Sequence, residues 1–119
     1  MKNDNLIVEK SRSFAIRSIN LYRFLVDNKE YVMSKQLLKS GTSIGANVKE
    51  AICGQSKADF IAKMNISLKE ASETEYWLDL LHATNYITPE QFQSMNIDCV
   101  ELIKILTSII NSSKGGKNA

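Results

Sequence analysis

Three short polar breaks divide this chain into four long segments of helical periodicity, and the shortness of the breaks limits the fold more than anything else. The segments run over about residues 5–27, 30–53, 56–85 and 88–112. A few residues at 3.3–3.6 Å each cannot return along a helix, so long crossovers are excluded and consecutive helices lie antiparallel. The prediction is an all-α, antiparallel up-down-up-down four-helix bundle. One proline and five glycines in 119 residues argue against a turn-rich sheet protein. The length suits a single domain with one core, residues 1–119, with a flexible tail from about residue 112.

Each segment carries its own signals. In the first, Phe14, Ala15, Ser18, Ile19, Tyr22, Leu25 and Val26 make one broad apolar face, and Asp4 or Asn5 can cap its start. Asp27-Asn28-Lys29-Glu30 is the break, with Lys29 near the negative end of the helix dipole. The second segment places Leu37, Gly41, Ile44, Val48 and Ala51 at steps of three and four, and Gly54 suits a left-handed stop. Gly41 and Gly45 each cost roughly 1 kcal/mol against Ala inside a helix, so close packing against another backbone should offset them.

Ser56-Lys57-Ala58-Asp59 opens the third segment as a capping box with Asp in place of Glu. Its main apolar face holds Phe60, Met64, Ser67, Leu68, Ala71, Leu78 and Leu81, widened by Ile61, Trp77 and Leu80. Thr88-Pro89-Glu90-Gln91 is the clearest boundary: a cap, a proline at the first helical position and a box-closing Gln. Phe92, Met95, Cys99, Leu102, Ile103, Leu106, Ile109 and Ile110 follow on one face.

Composition narrows the class. Hydrophobic content of 44% with 24% charged residues is that of a soluble globular domain. No apolar run approaches the ~20 residues that span a bilayer, and no signal-peptide stretch opens the chain, so a cytoplasmic protein without a membrane role is expected. Cys53 and Cys99 then read as reduced thiols, not a disulfide. The net charge of +2 is small but uneven: residues 1–60 hold ten Lys/Arg against six Asp/Glu, the remainder five against seven.

The stretch SKQLLKSGTSIGANVKEA (residues 34–51), followed by SLKEASETEYWLDLL (residues 67–81), resembles the small bacterial four-helix-bundle proteins encoded in intervening sequences of 23S ribosomal RNA genes. That family includes the accessory variability protein of diversity-generating retroelements. The resemblance covers about residues 6–110. It is most specific at Ser43-Ile44-Gly45-Ala46-Asn47 with Glu50-Ala51, and at Glu70, Glu73 and Glu75-Tyr76-Trp77-Leu78. It implies a homo-oligomer, a pentamer in the form of a five-fold barrel. For the retroelement relatives it implies a basic adaptor for nucleic acid and a reverse transcriptase. The modest net charge and acidic third helix depart from that adaptor pattern.

Three groups of residues are candidates for function. Gly41 and Gly45 suit close helix packing, within the bundle or between subunits. GTSIG is not a phosphate loop, because it lacks the GxxxxGK[ST] pattern and follows no strand. Asn47 and Glu50, with Glu70 and Glu73 of the next helix, suit a structural polar network; the sharper alternative is a carboxylate–metal site. His82 has Asp79, not Glu, three residues before it, which is half of such a site. For the carboxylates Glu70, Glu73 and Glu75, the sharper reading is an ion pair with Arg12, Arg17 or Arg23, between helices or between subunits; an ordinary solvated face is the other. Lys35, Lys39 and Lys49 form one basic row, and Arg12 and Arg23 another; Arg17 completes the basic set. Such rows suit RNA or DNA phosphates or a protein partner, although ordinary solvated faces give the same pattern. Ile66, Trp77, Tyr31, Tyr76 and Tyr86 form an apolar surplus that suits either a subunit interface or an oversized core face. The reading is a non-catalytic oligomeric interaction protein with no cofactor. The alternatives are a purely structural oligomer and a carboxylate–metal bundle enzyme.

Overall fold

The computed structural model describes residues 2–115, and four helices account for nearly all of them: α1 (Lys2–Asp27), α2 (Met33–Ile52), α3 (Lys57–Ala83) and α4 (Pro89–Gly115). Among the described residues there is no strand. Consecutive helices pack on one another, α4 closes the ring against α1, and among the described residues the backbones of the diagonal pairs α1/α3 and α2/α4 do not come close. The bundle measures 49 × 22 × 19 Å. A 27-residue helix such as α3 spans about 40 Å of that length.

Every helix contributes to one core. Ile7, Phe14 and Leu25 come from α1, and Leu37, Ile44 and Val48 from α2. Met64, Leu78 and Leu81 of α3 meet Leu102 and Leu106 of α4. All eleven are at most 1% exposed, so each contributes about 1.5–3 kcal/mol by leaving water.

The helix ends follow local chemistry. At α4 the box is complete: the Gln91 amide donates to Thr88 Oγ1 (3.1 Å) and the Thr88 amide donates to Gln91 Oε1 (2.8 Å). At α3 the Asp59 amide donates to Ser56 Oγ (3.0 Å). At α2 the buried Glu30 carboxylate accepts from the amides of Val32, Met33 and Ser34 at 3.3, 3.1 and 2.5 Å. Its charge also suits the positive end of the helix dipole.

Several boundary expectations are corrected. α1 already runs through Asn5, so neither Asp4 nor Asn5 caps it. α2 starts at Met33 because Glu30 stands outside it as the capping acid. Gly54 is not left-handed. It is a point of close approach, where a Cβ would run into the Asp59 carboxylate and lie 3.0 Å from the Ala51 carbonyl oxygen. The left-handed residues are Lys29 (φ 67°) and Asn85 (φ 68°). Each lets the next amide, Glu30 or Tyr86, donate back to Leu25 or Leu81 at 2.9 Å. That bond satisfies a terminal helix carbonyl. The stretch from Ser112 to Gly115 continues α4 and is no tail. Ile109 and Ile110, both 4% exposed, anchor the preceding turn, and Ser113 Oγ donates to the Ile109 carbonyl (2.8 Å). The rest of the expected tail lies outside the described residues.

Candidate functional site

The two flanks of α2 differ in how they meet their neighbours. On the α1 flank the glycines let backbone approach side chain. A Cβ on Gly41 would overlap Ser18 Oγ and sit 2.7 Å from Ser18 Cβ. A Cβ on Gly45 would meet the Ser11 carbonyl oxygen at 3.3 Å. Ser18 needs no partner from α2, since its hydroxyl donates to the Phe14 carbonyl (2.9 Å). Both glycines therefore serve contact with α1 within one chain.

On the α3 flank, hydroxyls cross the seam. Ser67 Oγ donates to the Ile44 carbonyl at 2.8 Å. The Ser40 and Thr74 hydroxyls share a hydrogen bond of 2.8 Å, and Thr74 also lies 2.8 Å from the Glu70 carbonyl. Ser40, Ser67 and Thr74 are fully buried. At the outer edge Lys63 Nζ pairs with Glu50 (2.9 Å), which holds the lysine's pKa above its usual value.

The network expected of Asn47, Glu50, Glu70 and Glu73 does not form among the described residues. Asn47 Nδ2 donates to its own helix, at the Ser43 carbonyl (2.8 Å). Glu73 accepts from Trp77 Nε1 (3.0 Å), also within its helix. Glu70 makes no side-chain hydrogen bond; burial, then the neighbouring Glu73, raises its pKa above the usual value. The bonds that cross the buried part of the seam belong to Ser40, Ser67 and Thr74, while Glu50 reaches α3 only at the outer edge, through Lys63. No three His, Cys, Asp or Glu side chains among the described residues converge as a metal-ligand set. His82 instead stacks on Phe92, centroids 4.7 Å apart.

Within the chain, no arginine of α1 pairs with the α3 carboxylates among the described residues. α1 faces α2 and α4, with α3 across the diagonal. Arg17 accordingly pairs with Asp98 of α4 (2.6 Å) and donates to the Ser94 carbonyl (3.1 Å) and hydroxyl (2.7 Å). Lys10 pairs with Glu101 (3.2 Å) beside it. Arg12, Arg23, Lys35, Lys39 and Lys49 are exposed, and none has an ion pair among the described residues. Of the aromatic surplus, Tyr76 is 57% exposed, Tyr31 55% and Tyr86 39%, while Trp77 packs partly against the core.

Two grooves result. Between α1 and α2, the small residues Ala15, Gly45 and Ala46 leave a groove of about 480 Å³ with Arg12 and Lys49 beside it. Between α3 and α4, a groove of about 390 Å³ is lined by Glu75, Asp79, Tyr76 and Asn96. Asn96 Oδ1 is buried there without a hydrogen-bond partner. Beneath this second seam Cys99 Sγ donates to the Ala71 carbonyl (3.2 Å), and burial, then Glu75, pushes the thiol up to about 12. Cys53 is exposed, and both thiols are free.

Glu30 and the Ser40–Thr74 pair escaped sequence reasoning. A carboxylate four residues before a buried serine was the available signal for the cap; nothing local announced the pair. No helix among the described residues is long and apolar enough to cross a membrane.

Among known proteins, residues 3–108 match the family model described as 23S rRNA-intervening sequence protein. Among solved structures, the chain is similar to a protein of unknown function from the S23 ribosomal protein family of Bacteroides thetaiotaomicron VPI-5482. The two are 61% identical, with a TM-score of 0.91, over 92% of this chain and 98% of that one. No curated protein matches.

Proposed function

The chain belongs to the 23S rRNA-intervening sequence protein family, and from that premise we propose that it is a non-catalytic interaction protein that works as a cytoplasmic homo-oligomer. The observation that carries this is the apolar surface left outside a closed core. Ile97 is 65% exposed, Tyr76 57%, Ile16 43% and Ile66 40%, although the interior is already filled from all four helices. Side chains of this size on the outer faces of a small bundle lose water contact only if another molecule covers them.

Five subunits is the assembly size to test, as the family resemblance implies. Light scattering on the purified chain is the measurement; a monomer at working concentration would defeat the self-association reading.

The finer reading is an adaptor for RNA or DNA, or for an enzyme acting on them, such as a reverse transcriptase. Its support is the set of exposed cations without ion partners: Arg12, Arg23, Lys35, Lys39 and Lys49. Arg17 is engaged by Asp98 and would contribute less. Phosphate contacts release counterions, so binding should weaken steeply as salt rises. Titration of RNA and DNA across a salt series checks this. Absence of binding at low salt would leave the purely structural oligomer.

A further inference from the structure

The α1/α4 seam carries apolar side chains inside an acidic frame. Two further grooves lie along it. One, of about 460 Å³, is walled by Leu21, Phe24 and Met95, with the exposed Glu90 beside them. The other, of about 300 Å³, is walled by Leu6 and Leu102, with the exposed Glu9 beside them. The Arg17–Asp98 pair stands between the two, Arg17 lining the first and Asp98 the second. Ile16 and Ile97, the chain neighbours of that pair, are 43% and 65% exposed, and Leu6 and Phe24 are 38% exposed. Four carboxylates and two cations line the grooves. Lys10 is held by Glu101 and Arg17 by Asp98, which leaves Glu9 and Glu90 without an ion pair among the described residues.

We propose that this seam is a docking surface for an amphipathic basic helix of another protein. Charge selects the sign of the partner: surplus carboxylates attract Lys and Arg and repel phosphates, so nucleic acid is not the occupant. Backbone chemistry selects its conformation. The described residues hold no strand, so the seam offers no edge at which an extended peptide could pair its amides and carbonyls. A helix satisfies its own. Geometry sets its length: Glu9 and Phe24 are fifteen residues apart on α1, about 22 Å at 1.5 Å per residue, or about four helical turns. Such a helix places one apolar side chain in each groove and one cation near Glu9 and another near Glu90. Its middle turns cover Ile16 and Ile97. Self-association through Tyr76 and Ile66 of α3 leaves this face open, so docking here does not depend on it.

The probe is a fluorescein-labelled helical peptide of about 18 residues, with leucine on one face and lysine on the other. Fluorescence anisotropy with the full-length chain at low salt is the readout. Binding should weaken as salt rises, and a peptide with glutamate in place of lysine should not bind. Glu9→Lys/Glu90→Lys should weaken binding about tenfold or more, because like charges then meet across the contact. Phe24→Ser/Ile97→Ser should weaken it about tenfold. All four residues are exposed, and circular dichroism should show helix content unchanged. Ile66→Ser/Tyr76→Ser, on α3, should bind the peptide as wild type does. No binding at low salt, equal binding of the glutamate peptide, or an affinity unchanged in both seam variants overturns the inference. If Phe24→Ser/Ile97→Ser instead breaks a wild-type oligomer in light scattering, a second copy covers the seam and the inference falls.

Discussion

The two flanks of α2 are built from the same kinds of small residue and hold their neighbours by opposite means. Toward α1, Gly41 and Gly45 remove side chains so that Ser18 and Ser11 can come close, and among the described residues no side-chain hydrogen bond crosses between the helices. Toward α3, Ser40, Ser67 and Thr74 keep their side chains and bond across the seam. The first flank relies on shape, the second on buried polar pairing. A shape contact tolerates no added atom where it is tightest. A polar contact tolerates no unpaired atom.

The sharpest way to break the contrast is to add one methyl on the shape side. Gly41→Ala should destabilise the fold by about 1–3 kcal/mol through overpacking, even though alanine is the better helix former. Ser18→Gly in the same chain should recover part of that loss, because it removes the atoms the new Cβ would meet. Gly45→Ala is the internal control. At 3.3 Å from Ser11 O the strain is slight and the propensity gain of roughly 1 kcal/mol opposes it, leaving stability within about 0.5 kcal/mol of wild type. Urea melts of the four chains check these values, and equal losses at Gly41 and Gly45 would erase the distinction between the sites.

On the polar side, Thr74→Val leaves the Ser40 hydroxyl only a 3.4 Å contact to the Leu37 carbonyl. The expected loss is about 1–2 kcal/mol. Adding Ser40→Ala should cost less than the sum of the two single changes, since the stranded hydroxyl goes as well. An additive double mutant would mean that the pair does not function as a unit.

The smallest effect belongs at the rim of the same flank. Burial and Glu73 raise the Glu70 pKa above 4.5, so ionising Glu70 costs the folded state. Its contribution is most favourable below the unfolded value of 4.5 and is lost as pH rises through the shifted value. Glu70→Gln should therefore raise the melting temperature slightly at neutral pH and leave it unchanged well below 4.5. A stabilisation that persisted in acid would point to a cause other than charge.

How far each flank was legible follows from what its residues say locally. The helical spacing placed Leu37, Ile44 and Val48 together, and all three are in the core. The glycine pair signalled close packing, because glycine inside a helix needs a compensating contact. The hydroxyl side carried no such signal. Serine and threonine occur on exposed and buried helix faces alike, and only the position of α3 shows that Thr74 meets Ser40. Arg17 was equally opaque: its charge asked for a carboxylate, and the diagonal placement of α3 decided that Asp98 of α4 would supply it.

What the amino-acid order determined by itself was the set of four helices, their antiparallel course and the capping at Ser56 and Thr88. These depend on residues a few positions apart, on 3.6-residue periodicity and on connections too short to cross the bundle. Tertiary structure decided which face each helix turns to each neighbour, and with it the left-handed Lys29 and Asn85, the buried Glu30 cap and the two grooves. Those features depend on groups distant in sequence meeting in one packed interior, where a single atom at Gly41 or a single hydroxyl at Thr74 changes the fit.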